Sequence, residues 1–252
     1  MSLEKFIKFE KGTIPLILSV PHGGTLECER IPKRLNGVLG IDKGTIELTQ
    51  KLISYIKKIS KKKISKVFKP SYIISNVPRN KIDLNRKVRH AYLQNSSLAE
   101  KIYQFYHKKV KELILENVNS FDNSLLIDIH GFESNKRPSG FRDVDLILGT
   151  NNLETFFSKP VPKKFWGNTI RGKIIKKFIE LNIPIAPGHP RRREYVLTGG
   201  YITQTYGSSK ISKSKTMQIE FSDRVRILNK KLRKIVIQTL AEIIVNEYTK
   251  IN

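Results

Sequence analysis

Short apolar runs alternate with longer amphipathic segments along this chain of 252 residues, and this alternation most constrains its fold. The short runs are rich in branched residues, which is typical of buried strands. The strand candidates are Ile14–Val20, Tyr72–Asn76, Leu125–Ile129, Val144–Leu148 and Thr216–Phe221. The helix candidates, which have apolar residues at a helical spacing, are Thr45–Ile59, Ser97–Leu115, Lys164–Leu181 and Leu228–Ile251. Strands that alternate with helices predict an α/β fold with a mixed, mostly parallel sheet flanked by helices.

No repeat, low-complexity tract or linker interrupts this pattern, so we expect a single domain over residues 1–252. A hydrophobic content of 39% favours a packed globule over a disordered chain. No apolar stretch approaches the roughly 18–20 residues that span a bilayer, and the first residues lack the apolar core of a signal peptide. The single cysteine, Cys28, excludes an intramolecular disulfide framework. We therefore expect a cytoplasmic protein with no membrane partner.

The formal net charge of +25 has two interpretations. It is typical of a protein that binds a polyanion, and it is also typical of a solvated, lysine-rich surface. The densest basic run, Lys57–Lys66, lies where a helix is predicted to end, and lysines there suit the helix dipole. A nucleic-acid-binding protein or metal-dependent nuclease, with phosphate contacts from this run and from Arg191–Arg193, is the alternative to a small-molecule enzyme. The scattered charge and the lack of a nucleic-acid motif disfavour it.

Two motifs place a histidine at the end of an apolar run. PHGG at Pro21–Gly24 follows the first strand candidate, and DIHG at Asp128–Gly131 ends the third. His22 and His130 should therefore lie at strand ends, where α/β proteins place their ligand sites. Imidazole is a common metal ligand, and a catalytic zinc needs three protein ligands with one open position. Two of the five histidines in matching positions predict a metal site.

An acidic side chain should supply the third ligand. Asp42 is our first choice because it precedes the helix predicted from Thr45 and can project from the same end of the fold. Its alternative role is that of a helix N-cap. Glu27 and Glu47 are competing ligands. Asp128 points to the same strand face as His130, so its carboxylate can orient a metal-bound imidazole. A buried carboxylate with a purely structural role is the alternative.

The segment Pro78–Arg86 follows a predicted strand and contains two arginines with short polar residues between them. One guanidinium can polarise a carbonyl oxygen, while the other holds a substrate carboxylate. Asp83 and Asn85 favour a braced site over a charged surface loop.

Two late motifs complete the candidate site. In MQIEF at Met217–Phe221, Glu220 lies in an apolar strand, where burial should raise its pKa and suit it to act as a general base. An outward-facing glutamate on an edge strand is the alternative. Gly199 and Gly200 form a glycine turn before a predicted helix, and this turn can expose backbone N–H groups to a substrate or serve as an ordinary turn.

Taken in order, several motifs resemble the N-formylglutamate amidohydrolase family, which is related to zinc carboxypeptidases and aspartoacylases. They are SVPHGG at Ser19–Gly24, Arg79 with DLNR at Asp83–Arg86, DIHG at Asp128–Gly131, LILG at Leu146–Gly149, GGYITQTYG at Gly199–Gly207 and MQIE at Met217–Glu220. The resemblance implies a zinc-carboxypeptidase-like fold and one zinc ion.

The resemblance also implies roles for individual residues. His22 and His130 become metal ligands, and Glu220 becomes the catalytic carboxylate. Arg79 resembles an oxyanion-stabilising arginine, and Asn85 with Arg86 resembles a pair that grips the substrate carboxylate. The compact His-x-x-Glu ligand motif is absent because Thr25 stands three residues after His22, so the acidic ligand stays open among Asp42, Glu27 and Glu47.

These observations predict a zinc-dependent hydrolase that cleaves the amide of an N-acyl acidic amino acid, such as an N-formyl one. Its partner would be a small anionic substrate, which the positive field of the protein helps to attract.

Overall fold

Seven strands of the described chain form one mixed sheet. The structure is a computed structural model that describes residues 3–136, 142–195 and 197–249. The strands are β1 (Ile7–Glu10), β2 (Leu16–Val20), β3 (Ser71–Ser75), β4 (Ser124–Phe132), β5 (Leu146–Gly149), β6 (Ile185–Ala186) and β7 (Ser214–Ser222). Their order across the sheet is β1-β3-β2-β4-β7-β5-β6. The pairs β1–β3 and β5–β7 are antiparallel and the other four are parallel, which confirms the predicted α/β class and mostly parallel sheet.

Helices cover both faces of this sheet. They are α1 (Thr45–Ile64), α2 (Val88–Ala91), α3 (Ser97–Phe121), α4 (Ile170–Glu180), α5 (Tyr201–Tyr206) and α6 (Lys230–Tyr248). Short 3₁₀ turns occur at Leu3–Lys5, Ser134–Lys136 and Lys163–Asn168, and a π-helical turn occurs at Arg224–Leu228. In the described part of the chain, no helix is long and apolar enough to cross a membrane.

The hydrophobic core has two layers because side chains alternate between the faces of a strand. Leu16 and Leu18 pack with α1, α4 and α6 on one face, whereas Ile17 between them packs with α3 and α5 on the other. Leu125, Leu126 and Ile127 of β4 divide in the same way. Strands buried on both faces read as continuous apolar runs, which is why the sequence pattern located them.

Several boundaries differ from the sequence predictions. The strands β1 and β6 were not predicted, because β1 alternates apolar and charged residues over four positions and β6 has only two residues. Lys164–Leu181 is not one helix: Thr169 ends the 3₁₀ turn, and its side chain accepts the N–H of Gly172 to begin α4. The last helix begins at Lys230, where Asn229 caps it through the N–H of Leu232.

Candidate metal centre

The central parallel strands β2, β4 and β7 end at the same edge of the sheet, and each brings one predicted residue there. His22 follows the last residue of β2 by two positions, and His130 lies in β4. Glu220 of β7 stands directly opposite His130 in the register of the two strands. This edge is the usual ligand site of a parallel α/β sheet.

Asp42 joins the two histidines in one buried cluster. The Nδ1 atoms of His22 and His130 lie 3.2 Å apart. The Oδ2 atom of Asp42 lies 3.6 Å from the first nitrogen and 3.3 Å from the second. All three residues are buried, and among the described residues they form the group of ligand atoms with a spacing suited to a metal ion.

The spacing of these donor atoms fits one tetrahedral ion. Four ligands at 2.0–2.1 Å from zinc lie about 3.3–3.4 Å from one another. The three measured separations of 3.2, 3.3 and 3.6 Å bracket that value. Two imidazole nitrogens that face each other repel unless a proton or a cation lies between them. His22, Asp42 and His130 therefore fit a metal with an open fourth position.

Two further carboxylates fix the orientation of the imidazoles. The Nε2 atom of His22 lies 2.7 Å from Oδ1 of Asp83, and Nε2 of His130 lies 2.7 Å from Oδ2 of Asp128. A carboxylate at Nε2 holds the proton on that nitrogen and leaves Nδ1 free to bind a metal. Asp128 is held in turn by the hydroxyl of Ser19, which donates to its Oδ1 atom at 2.6 Å. The predicted orientation of His130 by Asp128 thus has the geometry that it requires.

The local field favours a cation. Burial alone would raise the pKa of Asp42, but hydrogen bonds from His130 and His22 outweigh it and hold that pKa well below its usual range. Burial alone would lower the pKa of His130, but the charge of Asp128 raises it well above its usual value. Burial raises the pKa of Glu220, in the direction predicted from its apolar strand, and His130 partly offsets the rise.

The alternatives for the acidic ligand lie elsewhere. Gly44, not Asp42, is the N-cap of α1, and no side chain caps that helix. Asp42 instead accepts the N–H of Gly131 at 3.1 Å, which directs its carboxylate to the histidines. Glu47 pairs with Lys51 on the exposed side of α1. Glu27 is exposed and is not in the cluster.

The polar segment before α2 lines the same site. The Nε atom of Arg79 donates to Oδ2 of Asp83 at 3.1 Å, and Arg79 Nη1 lies 3.7 Å from Oδ1 of Asp42. Asn85 is buried, and its Nδ2 atom lies 3.3 Å from Nε2 of His130. Arg86 has a side chain that is 48% exposed, with Nε 3.8 Å from Oδ2 of Asp83. Arg86 is therefore the group of this segment most open to solvent.

The glycine turn packs against these residues. Gly199 has a φ of +108°, a conformation that favours glycine, and the predicted helix follows as α5. The N–H of Gly200 donates to Oε1 of Gln218 at 2.6 Å, and Nε2 of Gln218 donates to Glu220 at 2.7 Å. A Cβ atom on Gly200 would lie 2.2 Å from Nδ2 of Asn85. In this structure the Gly200 amide already has an acceptor, so the turn braces Gln218 and Asn85.

Sequence reasoning missed three contributors. Asp83 was predicted to brace the arginines, but its bond to His22 was not foreseen. The hydroxyl of Ser19 was not considered, although it stands in the SVPHGG motif. Arg226 is fully buried and donates through Nε to the carbonyl of Phe221 at 3.0 Å, near the end of β7. A buried arginine within MQIEFSDRVR offers no pattern that distinguishes it from a surface arginine.

Comparison with known proteins supports the fold. The sequence matches no family model and no curated protein. The N-formylglutamate amidohydrolase structure from Ralstonia eutropha superposes with a TM-score of 0.66 at 13% identity, covering 97% of this chain and 98% of that one. A gene product of Agrobacterium tumefaciens superposes with a TM-score of 0.58 at 13% identity, covering 98% and 96%. The resemblance predicted from the ordered motifs is therefore confirmed for the fold, which this chain shares over its length with an N-formylglutamate amidohydrolase.

Proposed function

We propose that this protein is a metal-dependent amidohydrolase that removes an acyl group, such as formyl, from an N-acylated acidic amino acid. One observation carries the proposal: the donor atoms of His22, Asp42 and His130 have the spacing of a single ion, and Glu220 stands opposite His130 at the same sheet edge. The name of the Ralstonia eutropha structure supports the choice of an N-acyl amino acid as substrate.

His22, Asp42 and His130 would hold the metal, for which zinc is the first candidate because two imidazoles and a carboxylate are typical zinc ligands. When bound, zinc lowers the pKa of water towards about 7 and polarises the scissile carbonyl. Glu220 accepts the proton of the attacking water and delivers it to the leaving nitrogen. The raised pKa of Glu220 brings its proton affinity closer to that needed for this transfer at neutral pH.

The arginines bind the charges of the substrate. The guanidinium of Arg79, braced by Asp83 and facing Asp42, stabilises the oxyanion that forms when water adds to the carbonyl. Arg86 binds the substrate carboxylate with its exposed guanidinium, and the amide of Asn85 supports it from the buried side. Gly199 and Gly200 shape the wall behind Asn85, and an amide contact from Gly199 to the substrate stays a prediction.

The test combines metal analysis with kinetics. The purified protein is assayed for metal content and for hydrolysis of N-formyl and N-acetyl amino acids before and after chelation. Glu220→Gln should keep its metal and lose at least about a hundredfold in kcat. His22→Ala and His130→Ala should lose the metal itself.

Glu47→Gln is the matched control, because it removes an exposed carboxylate outside the cluster. It should keep both metal and turnover. Full activity in Glu220→Gln, or stoichiometric metal in both histidine variants, would overturn the assignment.

A further inference from the structure

A basic cleft of about 380 Å³ opens beside Arg86. Its volume is within the range of about 300–1,000 Å³ that is common for ligand sites, and it is too large for a formyl group alone. Its basic lining residues are Arg34, Arg86, Arg89 and His90, and its apolar lining residues include Leu35 and Tyr92. Among the described residues that line it, none is acidic.

Two arginines that line the cleft, Arg34 and Arg86, lie near Asp83, the carboxylate that also holds His22 of the candidate metal centre. This carboxylate accepts a bond from His22 on one oxygen, and its other oxygen lies 3.6 Å from Nη1 of Arg34 and 3.8 Å from Nε of Arg86. Arg86 thus lines the cleft and also approaches the carboxylate that orients His22. A molecule whose amide lies at the cluster and whose carboxylate meets Arg86 would extend into the cleft.

The positive charge of the cleft is only partly neutralised by the protein, through one carboxylate among the described residues. Asp83 is shared among His22, Arg79, Arg34 and Arg86. In the part of the chain that the structure describes, no carboxylate lies within 4 Å of Arg89, and its side chain is exposed together with His90.

Arg34 differs from the other cations of the cleft because its position is fixed. It is buried, and it donates to the backbone carbonyls of Val38, Arg79 and Asn36. Its charge therefore supplies a fixed field behind the exposed side chains of Arg86 and Arg89. A second anionic group on a ligand would complete this charge arrangement.

We propose that this cleft binds a second anionic residue of the substrate, on the amino-acid side of the scissile amide. The preferred substrates are then N-acyl acidic amino acids extended through their side chain by a further acidic residue. This inference rests on the proposed hydrolase function and adds the substrate class. The probe is N-formyl-γ-glutamylglutamate, which keeps the α-carboxylate for Arg86 and places two more carboxylates beyond it.

The comparison compound is the diamide of the outer residue, which has nearly the same shape without the two outer charges. The wild-type protein should hydrolyse the charged probe with a kcat/KM at least about tenfold higher than that of the diamide, mainly through KM. Arg89→Gln should reduce this preference about tenfold, and Arg89→Lys should restore part of it. Lys87→Gln is the control, since it removes an exposed charge two positions away and outside the cleft lining; it should leave the preference unchanged.

Calorimetric binding separates this inference from the hydrolase proposal. If the protein cleaves neither of these compounds nor N-formylglutamate, the hydrolase proposal fails, and the Kd values of the two extended compounds then decide the cleft. If it cleaves N-formylglutamate but neither extended compound, the hydrolase proposal stands and the cleft inference is overturned. A tenfold tighter Kd for the charged probe that Arg89→Gln abolishes supports the cleft site. Equal affinities, or a preference that Arg89→Gln leaves intact, would overturn it.

Discussion

Each histidine of the cluster uses both ring nitrogens. Nδ1 faces the shared space between the ligands, and Nε2 is held by a buried carboxylate, Asp83 for His22 and Asp128 for His130. Both carboxylates are completely buried, so each ring has one orientation available to it. A metal would then bind to nitrogens that already have the required orientation, which reduces the conformational entropy lost on binding.

Asp83→Asn tests this orientation. The amide cannot supply the negative charge that holds the Nε2 proton and strengthens Nδ1 as a ligand. We expect zinc affinity to fall by about 10–100-fold, as measured by competition with a chromophoric chelator. Asp122→Asn is the control, because Asp122 is an exposed residue at the end of α3. An unchanged zinc affinity in Asp83→Asn would contradict a role for this carboxylate at the metal.

The residues that sequence reasoning found at the site stand in local patterns. His22 and His130 end apolar runs, and Asp42 precedes a helix that begins near Thr45. These local patterns were sufficient to predict that the three residues lie at one edge of the sheet. The bond from Asp83 to His22 joins positions 61 residues apart. The spacing of apolar residues along the sequence cannot predict such a contact, because it depends on how the segment after β3 folds back over the end of β2.

At the scale of elements, the ends of β4 and β7 are tied by one buried guanidinium. Arg226, in the π-helical turn after β7, donates to the carbonyls of Phe221 and Phe132 at 3.0 and 2.9 Å and also bonds to the carbonyl of Lys43. This arginine therefore links both strands to the segment that carries Asp42. Gly131 makes room for it, because a Cβ atom there would lie 2.3 Å from Arg226 Nε.

Gly131→Ala should displace Arg226 and separate these strand ends. We expect a loss of about 1–3 kcal/mol in the free energy of unfolding, from overpacking at a buried site. Urea unfolding of the purified protein measures it. Gly40→Ala is the matched control, since a Cβ atom at Gly40 would meet nothing within 4 Å. Equal destabilisation by the two substitutions would show that the contact with Arg226 is unimportant.

The elements that were predicted correctly are those with enough buried residues to form a pattern. The three strands at the centre of the sheet bury nearly every side chain, and α1 and α3 begin at the predicted residues, Thr45 and Ser97. The ends of helices were less accurate. α3 continues to Phe121, six residues beyond the predicted end, because the chain there contains no proline or glycine. The helix ends only where Asp122 adopts a positive φ.

At the scale of the whole molecule, the basic run Lys57–Lys66 and the candidate metal centre lie at opposite ends of α1. Asp42 precedes the helix, whereas the run occupies its last turns and continues beyond Ile64. At 1.5 Å per residue, Lys57 lies about 18 Å along the axis from Thr45, and Ile64 lies about 28 Å from it. A phosphodiester held by this run would not reach the cluster, so a nuclease would have to bring another phosphodiester of the same strand to it. Plain nucleic-acid binding by the run stays a separate prediction.

The net charge of +25 predicts a salt-dependent rate for an anionic substrate. Long-range attraction between the protein and the substrate is screened as the Debye length falls from about 30 Å at 0.01 M salt to about 8 Å at 0.15 M. We expect kcat/KM for N-formylglutamate to fall several-fold across this range while kcat changes little. N-formylmethionine amide, which has no charge, is the comparison substrate and should show no such fall. A parallel salt dependence of both substrates would contradict electrostatic steering.

Global stability should depend on pH through His107, which lies outside the metal centre. Its ring contacts four tyrosines from two helices, and its Nδ1 atom lies 2.9 Å from the hydroxyl of one of them. These residues are Tyr103, Tyr106, Tyr201 and Tyr206. Burial lowers the pKa of His107 to about 4, although the Leu84 carbonyl and the charge of Asp128 oppose that effect. The folded protein therefore keeps this imidazole neutral at pH values where the unfolded chain protonates it.

Since the folded pKa lies below the unfolded value of 6.5, the unfolded state binds more protons between pH 6.5 and pH 4. The stabilisation from a neutral His107 is complete above pH 6.5 and is lost as the pH falls towards 4, by at most about 3 kcal/mol. Urea unfolding across this range measures the loss, and His107→Phe should lose less stability than the wild-type protein. His90→Gln, at an exposed position, is the control and should follow the wild type. If His107→Phe also parallels the wild type, the acid sensitivity arises from other groups, the metal-centre carboxylates first among them.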